Sequence, residues 1–497
     1  MQTAVDVAII GAGFAGLAAA VRLKKQGTKS FVIIERASEV GGTWRENIYP
    51  GCACDIPSHL YSFSFAPNPG WSRTYATQPE ILDYLKQVVS HYELAASIRF
   101  NTEILRTEFS TATGRWTLTD RAGRSTTARV VILAVGPLNR PAIPKLSGLD
   151  TFAGKTFHSA QWDSSYDLTQ KRVAVIGTGA SAIQFIPQIA PIVDQLTIFQ
   201  RTAPYVMSRE DRAISATELA LFRHLPLAQK TYRSWIYWRN ELNGLSFLGN
   251  ELFNRIGRER AKKHLEQAIK DPILRQKATP DYKLGCKRVL ISDDYYSALT
   301  RSNVALETNG IAEIKPHSIV DKAGIERPVD AIIFGTGFMV SGMIGRMQII
   351  GRYGQNLFDQ WINQGAEAYH GTTISGFPNL LFLTGPNTGI GHNSIIHMIE
   401  SQVNYAIDYL QQLDKTGKNT FLDVRPEAQK HYNAIIQQKT AKTVWASGCR
   451  SWYLDSKNQN RSIWPGLTLD YRKATRRVNV TDYDIVPCRQ PSPSMAC

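Results

Sequence analysis

Two stretches of this chain, VDVAIIGAGFAG near the N-terminus and VAVIGTGASA at 173–182, repeat one pattern. Each is an apolar run short enough for a buried strand, then a glycine turn, then a helical pattern. In the first, Gly11 permits a tight turn, Gly13 lets the backbone approach a pyrophosphate, and Gly16 allows close helix–strand packing. The helix start offers free N–H groups and a positive dipole end to phosphate. The next strand, FVIIE, ends in Glu35, an acceptor for ribose hydroxyls. In the second, Gly177, Thr178, Gly179, Ala180, Ser181 and Ala182 form the turn, and the strand LTIF leads into Gln200-Arg201-Thr202. Arg201 follows Gly177 at the interval by which Glu35 follows Gly11. A carboxylate there suits a free ribose and a guanidinium suits a 2′-phosphate, so the chain reads as binding FAD first and NADPH second.

That pair of cradles sets the expected fold class. It is an α/β protein with two dinucleotide-binding, Rossmann-like domains, the NADPH domain inserted in the FAD domain. DAIIFGTGF at 330–338 and NLLFLTGPNTGIGHNS at 379–394 read as strands of the resumed first domain. The expected boundaries are 1–140 and 335–497 for FAD, 150–210 and 285–334 for NADPH, and 141–171 for a linker. Residues 211–284, with RSWIYWRNEL and NELFNRIG, read as a helical insertion. An amphipathic membrane-contact helix is a second reading of the same stretch.

Bulk properties narrow the function. At 497 residues, 43% hydrophobic and 20% charged, the chain suits two or three globular domains. Its net charge of +15 is scattered, which argues against a nucleic-acid stripe and for a mild preference for anionic ligands or a solvated basic surface. The N-terminal apolar run lacks the preceding basic region of a signal peptide, and no segment reaches the roughly 20 apolar residues of a membrane span. Six cysteines include no C-x-x-C, so zinc, dithiol redox, iron–sulfur and haem chemistry are not signalled, and a reducing, cytoplasmic setting is expected. The cofactor-binding candidates along the first domain are Gly11, Gly13, Phe14, Ala15, Gly16, Glu35, Gly42, Thr43, Trp44, Asp55, Tyr61 and Ile104.

FAGKTFHSAQWD at 152–163 places Phe152, Gly154, His158 and Trp162 at intervals that fit neither a helix face nor a strand face. It matches the fingerprint F-x-G-x-x-x-H-x-x-x-W-[P/D] of type I Baeyer–Villiger monooxygenases, within the class B flavin-dependent monooxygenases. GGTWRENIYPGCACD at 41–55 matches that family's second pattern in full. With GCKRVLISDDYYSALTRSNV at 285–304 and SWYLDSKNQNRSIWPG at 451–466, the resemblance covers nearly the whole chain. It implies an NADPH-dependent flavoenzyme that inserts one oxygen of O2 beside the carbonyl of a small ketone or aldehyde, through a C4a-peroxyflavin, giving an ester or lactone. By the same resemblance Arg288 stabilises developing anionic oxygen and Asp55 orients it. Lys287 joins Arg201 and Thr202 at the 2′-phosphate, Trp452 closes over the nicotinamide side, and His158 and Trp162 couple the domains. Other readings are an N- or S-oxygenating flavin monooxygenase and an NADPH-dependent flavin reductase. Substrate identity and oligomeric state are not legible in the residues.

Overall fold

A computed structural model of the chain describes residues 3–28, 30–339, 347–449, 451, 453–455 and 457–488. The first cradle folds as strand Thr3–Ile10, helix Phe14–Lys25 and strand Phe31–Ile34, the strands parallel with Ile9 beside Ile33. Val7, Ala8 and Ile9 are at most 1% exposed. A strand covered on both faces needs apolar side chains in both directions, hence an unbroken apolar run.

On its other side Thr3–Ile10 pairs in parallel with the long strand Ser125–Leu133. The start of that strand joins an antiparallel meander through Arg115–Asp120 to Ile104–Ser110. Its end pairs with Phe377–Phe382, Val131 standing beside Leu380. Gln348–Ile350 completes the far edge. Strands on both sides of the intervening domain therefore share one nine-stranded sheet. Helix Ile395–Lys415 packs against Phe14–Lys25, and a closing ribbon pairs Thr420–Val424 with Tyr483–Pro487.

The second sheet has five parallel strands. Their order is Val304–Glu307, Gln195–Phe199, Arg172–Ile176, Ala331–Phe334 and Lys155–His158. Two readings change here. DAIIF, read as a strand of the resumed first domain, belongs to this sheet, in keeping with the 285–334 boundary. The fingerprint stretch, read as linker, supplies the edge strand Lys155–His158, with His158 beside Phe334. Four residues, of which only Phe157 and His158 are buried, are too few for strand alternation to show. A three-stranded antiparallel meander, Ile311–Lys315, Ser318–Asp321 and Glu326–Pro328, lies between the last two strands in sequence.

Residues 211–284 hold the helices Ala216–His224, Pro226–Gly244, Glu251–Ala268 and Pro272–Lys277. Their starts follow capping chemistry. Ser215 and Glu218 form a capping box, Asn250 and Asp271 cap with their side chains, and Pro226 and Pro272 open their helices where a missing N–H costs nothing. Among the described residues no helix is long and apolar enough to cross a membrane, and no cluster of three or more metal-ligating side chains is found.

Candidate active site

The two glycine turns share one construction. Gly11 has φ +107°, and a side chain there would start 2.5 Å from the Ala134 carbonyl oxygen. Gly177 has φ +102°, with the Gly335 carbonyl oxygen equally close. A side chain on Gly16 would run into the carbonyl of Gly11. Gly13 caps helix Phe14–Lys25 without a side chain, so the amides of Phe14, Ala15 and Gly16 open onto the space above the turn. In the second cradle Thr178, Gly179, Ala180 and Ser181 make the turn into helix Ala182–Ile189, and Ala182 packs against Gly335.

Glu35, 4% exposed, is fixed at its strand end. It accepts hydrogen bonds from the Ala12 amide (2.8 Å), the Ala37 amide (3.0 Å) and Arg45 Nη1 (3.2 Å). Beside it Gly42 approaches Gly13 and caps the short helix Thr43–Glu46. Thr43 is exposed. Trp44 is buried and donates from Nε1 to the Tyr61 hydroxyl (3.1 Å), and Tyr61 packs edge-on to Phe14 at 5.2 Å. Ile104 departs from this group. Its side chain lies in the core with Ile10 and Ile34, so any contact with a ligand would run through its backbone.

At the second cradle Arg201 and Lys287 come together from loop segments far apart in sequence. Burial and then the charge of Arg201 hold the Lys287 ammonium below its usual range, and Lys287 Nζ sits 4.8 Å from the centre of the Tyr282 ring. Thr202 follows Arg201, half-buried. Two like charges side by side form a site that an anion relieves.

The sharpest geometry joins the two halves. Arg288 donates from Nε (3.0 Å) and Nη2 (2.5 Å) to Asp55 Oδ2, across 233 residues of sequence. Both side chains are about 30% exposed, so the pair lines open space at the domain boundary. The Asp55 charge raises the guanidinium's already high pKa. Tyr453, 2% exposed, lies against the same guanidinium, and burial pushes its phenol up to about 12.

Around this pair the GGTWRENIYPGCACD turn is clamped to the second domain. Gly51 has φ +76°, and a side chain there would start 2.7 Å from the Gln184 carbonyl oxygen. Tyr49 donates to Gln184 Oε1 (2.9 Å), and Gln184 Nε2 donates to the Ala53 carbonyl (3.0 Å). Arg209 Nη2 donates to the Cys54 carbonyl (3.1 Å). Asp293 holds the loop that carries Arg209, accepting from Ser208 Oγ and the Arg209 amide, both at 2.7 Å.

The fingerprint meets this clamp from behind. Trp162 packs on Phe157 (5.1 Å) and Phe185 (5.3 Å), and Phe185 packs on Tyr49 (6.1 Å). His158 is 1% exposed. Its Nδ1 accepts the Ala160 amide, its ring lies 5.8 Å from Phe338, and burial lowers its pKa. A cavity of about 590 Å³ opens here, lined by His158, Trp162, Phe334 and Ile48, and the Arg288–Asp55 pair does not border it. Trp452 lies outside the described residues.

Sequence reasoning missed Gln184, Arg209, Asp293 and Tyr453, whose roles depend on contacts between distant segments. It also missed a disulfide, Cys286–Cys449, spanning 163 residues with Cα atoms 6.2 Å apart. Local spacing cannot report such a pair. Its presence removes the cysteine argument for a reducing setting, where such bridges are rare. Cys286 directly precedes Lys287 and Arg288, so the bridge ties the segment carrying both cations to the loop that bears Tyr453.

Residues 4–343 match the family model described as flavin-binding monooxygenase-like. A protein of Streptomyces coelicolor named Baeyer–Villiger monooxygenase is 49% identical over 99% of this chain and 94% of its own length. One of the same name from Pseudomonas aeruginosa is 48% identical over 96% of this chain and 91% of its own. Among solved structures, an oxidised steroid monooxygenase bound to NADP superposes with a TM-score of 0.86 at 30% identity, covering 98% of this chain and all of that one. Cyclohexanone monooxygenase from Rhodococcus sp. Phi1 bound to NADP+ gives 0.87 at 27% identity with the same coverage. With both fingerprints, both cradles and close relatives along its whole length, the chain belongs to the type I Baeyer–Villiger monooxygenases of the flavin-binding monooxygenase-like family.

Proposed function

We propose that this protein is an FAD- and NADPH-dependent monooxygenase that inserts one oxygen of O2 beside a ketone carbonyl, giving an ester or lactone. The observation that carries this reading is the Arg288–Asp55 pair at the boundary of the two cradles. FAD, when bound, accepts the hydride of NADPH and activates dioxygen.

The residues fit both cofactors. Gly11, Gly13, Phe14, Ala15 and Gly16 offer a turn and helix start to the FAD pyrophosphate. Glu35, already aligned by three donors, meets the ribose hydroxyls. Gly42, Thr43, Trp44 and Tyr61 wall the space beyond, and Ile104 contributes through its backbone. For NADPH, Gly177 to Ala182 take the pyrophosphate, and Arg201, Thr202 and Lys287 take the 2′-phosphate. The facing cations of Arg201 and Lys287 favour the phosphorylated coenzyme.

Arg288 supplies a positive charge that no accessible pH removes, aimed at the space where a carbonyl oxygen gains negative charge. Asp55 fixes its direction by a two-point grip, which spares reorganisation when the charge develops. His158 and Trp162 act as a mechanical link, through Phe185 and Tyr49, and not as proton carriers. In this assignment the nine-stranded sheet is the FAD domain, the five-stranded sheet the NADPH domain, and 211–284 the helical insertion. We place the protein in the cytoplasm on its coenzyme alone, since NADPH is supplied there while the Cys286–Cys449 bridge argues the other way.

A panel of cyclic and linear ketones, aldehydes and sulfides, run with NADPH and ¹⁸O-labelled dioxygen, tests the reading. One labelled oxygen in an ester product is expected. Sulfoxide without any ester would move the protein to the S-oxygenating class. NADPH consumption without incorporation by any substrate would make it a reductase.

A further inference from the structure

The outward face of helix Pro226–Gly244 carries large apolar side chains that the rest of the chain leaves uncovered. Its inward face is clamped. Gln229 Nε2 donates to the Asn68 carbonyl, Arg233 Nη1 to the His59 carbonyl, and Glu241 accepts from Asn393 and Thr468. Left in solvent are Leu227, Trp235, Trp238 and Leu242, respectively 73%, 54%, 53% and 56% exposed. Their spacing places them on one stripe of a 3.6-residue helix. The preceding helix, Ala216–His224, packs alongside through Phe222 stacked on Tyr232. It adds exposed Leu221, and Leu225 follows at its end. Two half-exposed indoles among exposed leucines form a patch that calls for a covering partner.

Charge selects the partner. Arg223, Lys230 and Arg239 are exposed along the same two helices, and the Arg239 guanidinium lies 4.9 Å from the centre of the Trp235 ring. The only carboxylate of Pro226–Gly244, Glu241, is 2% exposed and faces inward. That of Ala216–His224, Glu218, is paired with Arg212. The face is thus apolar and cationic with no free acid. A two-fold pairing of two copies would set these cations against one another without a carboxylate between them. Indoles and leucines beside cations match a headgroup layer, where indole sits at the boundary and Lys or Arg meets lipid phosphate. We propose that this face docks the protein peripherally on an anionic lipid surface.

The FAD-loaded full chain is floated with vesicles of phosphatidylcholine alone or mixed with phosphatidylglycerol, with tryptophan emission followed in parallel. Flotation with the phosphatidylglycerol vesicles is expected, with a blue-shifted emission and weakening by salt. Trp235→Ser/Trp238→Ser and Lys230→Glu/Arg239→Glu should each weaken it by about tenfold or more while keeping bound FAD and helical circular dichroism. Should the tryptophan variant fold poorly, the charge variant, which keeps both indoles, decides alone. No flotation with phosphatidylglycerol vesicles, or unchanged flotation of the charge variant, overturns the proposal. So does a vesicle-free dimer that the tryptophan variant dissolves, since the face then pairs two copies.

Discussion

Arg288 has one strong partner, and the energetics of the site turn on that pairing. Replacing it with alanine should cut ester formation by about 10²–10³-fold, the equivalent of about 2.7–4 kcal/mol for a lost donor to a developing oxyanion. NADPH should still reduce the flavin. Stopped-flow absorbance alongside product assay separates the two, and ester at the parental rate would remove Arg288 from the site. Asp55→Ala should give a milder defect, and the double variant should fall short of additivity because the two side chains act as one unit. Arg201→Ala should raise KM for NADPH by roughly 10–150-fold, as for loss of a charge-assisted phosphate contact worth about 1.5–3 kcal/mol, and leave KM for NADH little changed. Equal kinetics with both coenzymes in the parent would refute that role. Arg201 was legible from its distance to Gly177 alone. Asp55 and Arg288 were legible only through resemblance, since nothing local in CKR or CACD announces a partner 233 residues away. Tyr453 lies in the SWYLD segment, yet nothing local there announces a contact with Arg288.

Elements were legible in proportion to how local their causes are. The strand–turn–helix units showed through their glycines, because a Cβ at Gly11 or Gly16 meets backbone of the same unit or its sheet. Gly51 obeys the same steric rule against Gln184 of the other domain, and no sequence window contains both. Gly51→Ala should therefore leave FAD bound but slow the coenzyme-dependent steps, as a misfitted domain contact would. Rapid-mixing measurement of flavin reduction reads this, and loss of FAD as the main effect would place Gly51 in the first cradle instead. The edge strand Lys155–His158 escaped notice because its pairing partner, Ala331–Phe334, lies far along the chain. The Cys286–Cys449 bridge joins another such pair of distant segments. Cys449→Ser should lower stability by about 2–5 kcal/mol if the unfolding unit spans the bridge. A dithiol reductant should reproduce the drop in Tm in the parent and leave the variant unaffected.

For the molecule as a whole, acid should be the weak side. His59, His370 and His397 are each held down to about 4, mainly by burial, with Arg233 adding at His59 and Arg472 at His397. They stay neutral in the fold, while the unfolded chain protonates its histidines below about 6.5. Between about 6.5 and 4 the unfolded state binds more protons, so stability falls as pH drops, by up to about 1.4 kcal/mol per pH unit for each histidine. Glu241 extends the trend. Its hydrogen bonds outweigh burial and hold it at about 2, a contribution present above about 4.5 and lost as pH falls towards 2. Thermal melts from pH 8 to 5 should show Tm falling below about 6.5, and a flat profile would mean these histidines are solvated.

The shared nine-stranded sheet also dictates an order of events during synthesis. Val131 and Leu133 wait for Leu380 and Phe382, which leave the ribosome only after the entire inserted domain. At roughly 5–20 residues per second that gap is tens of seconds. Throughout it the nascent chain presents an apolar, unpaired strand edge, the kind of template on which other chains add. A fragment ending at residue 339 should accordingly collect in the insoluble fraction, while the full chain made slowly in the cold should stay dispersed.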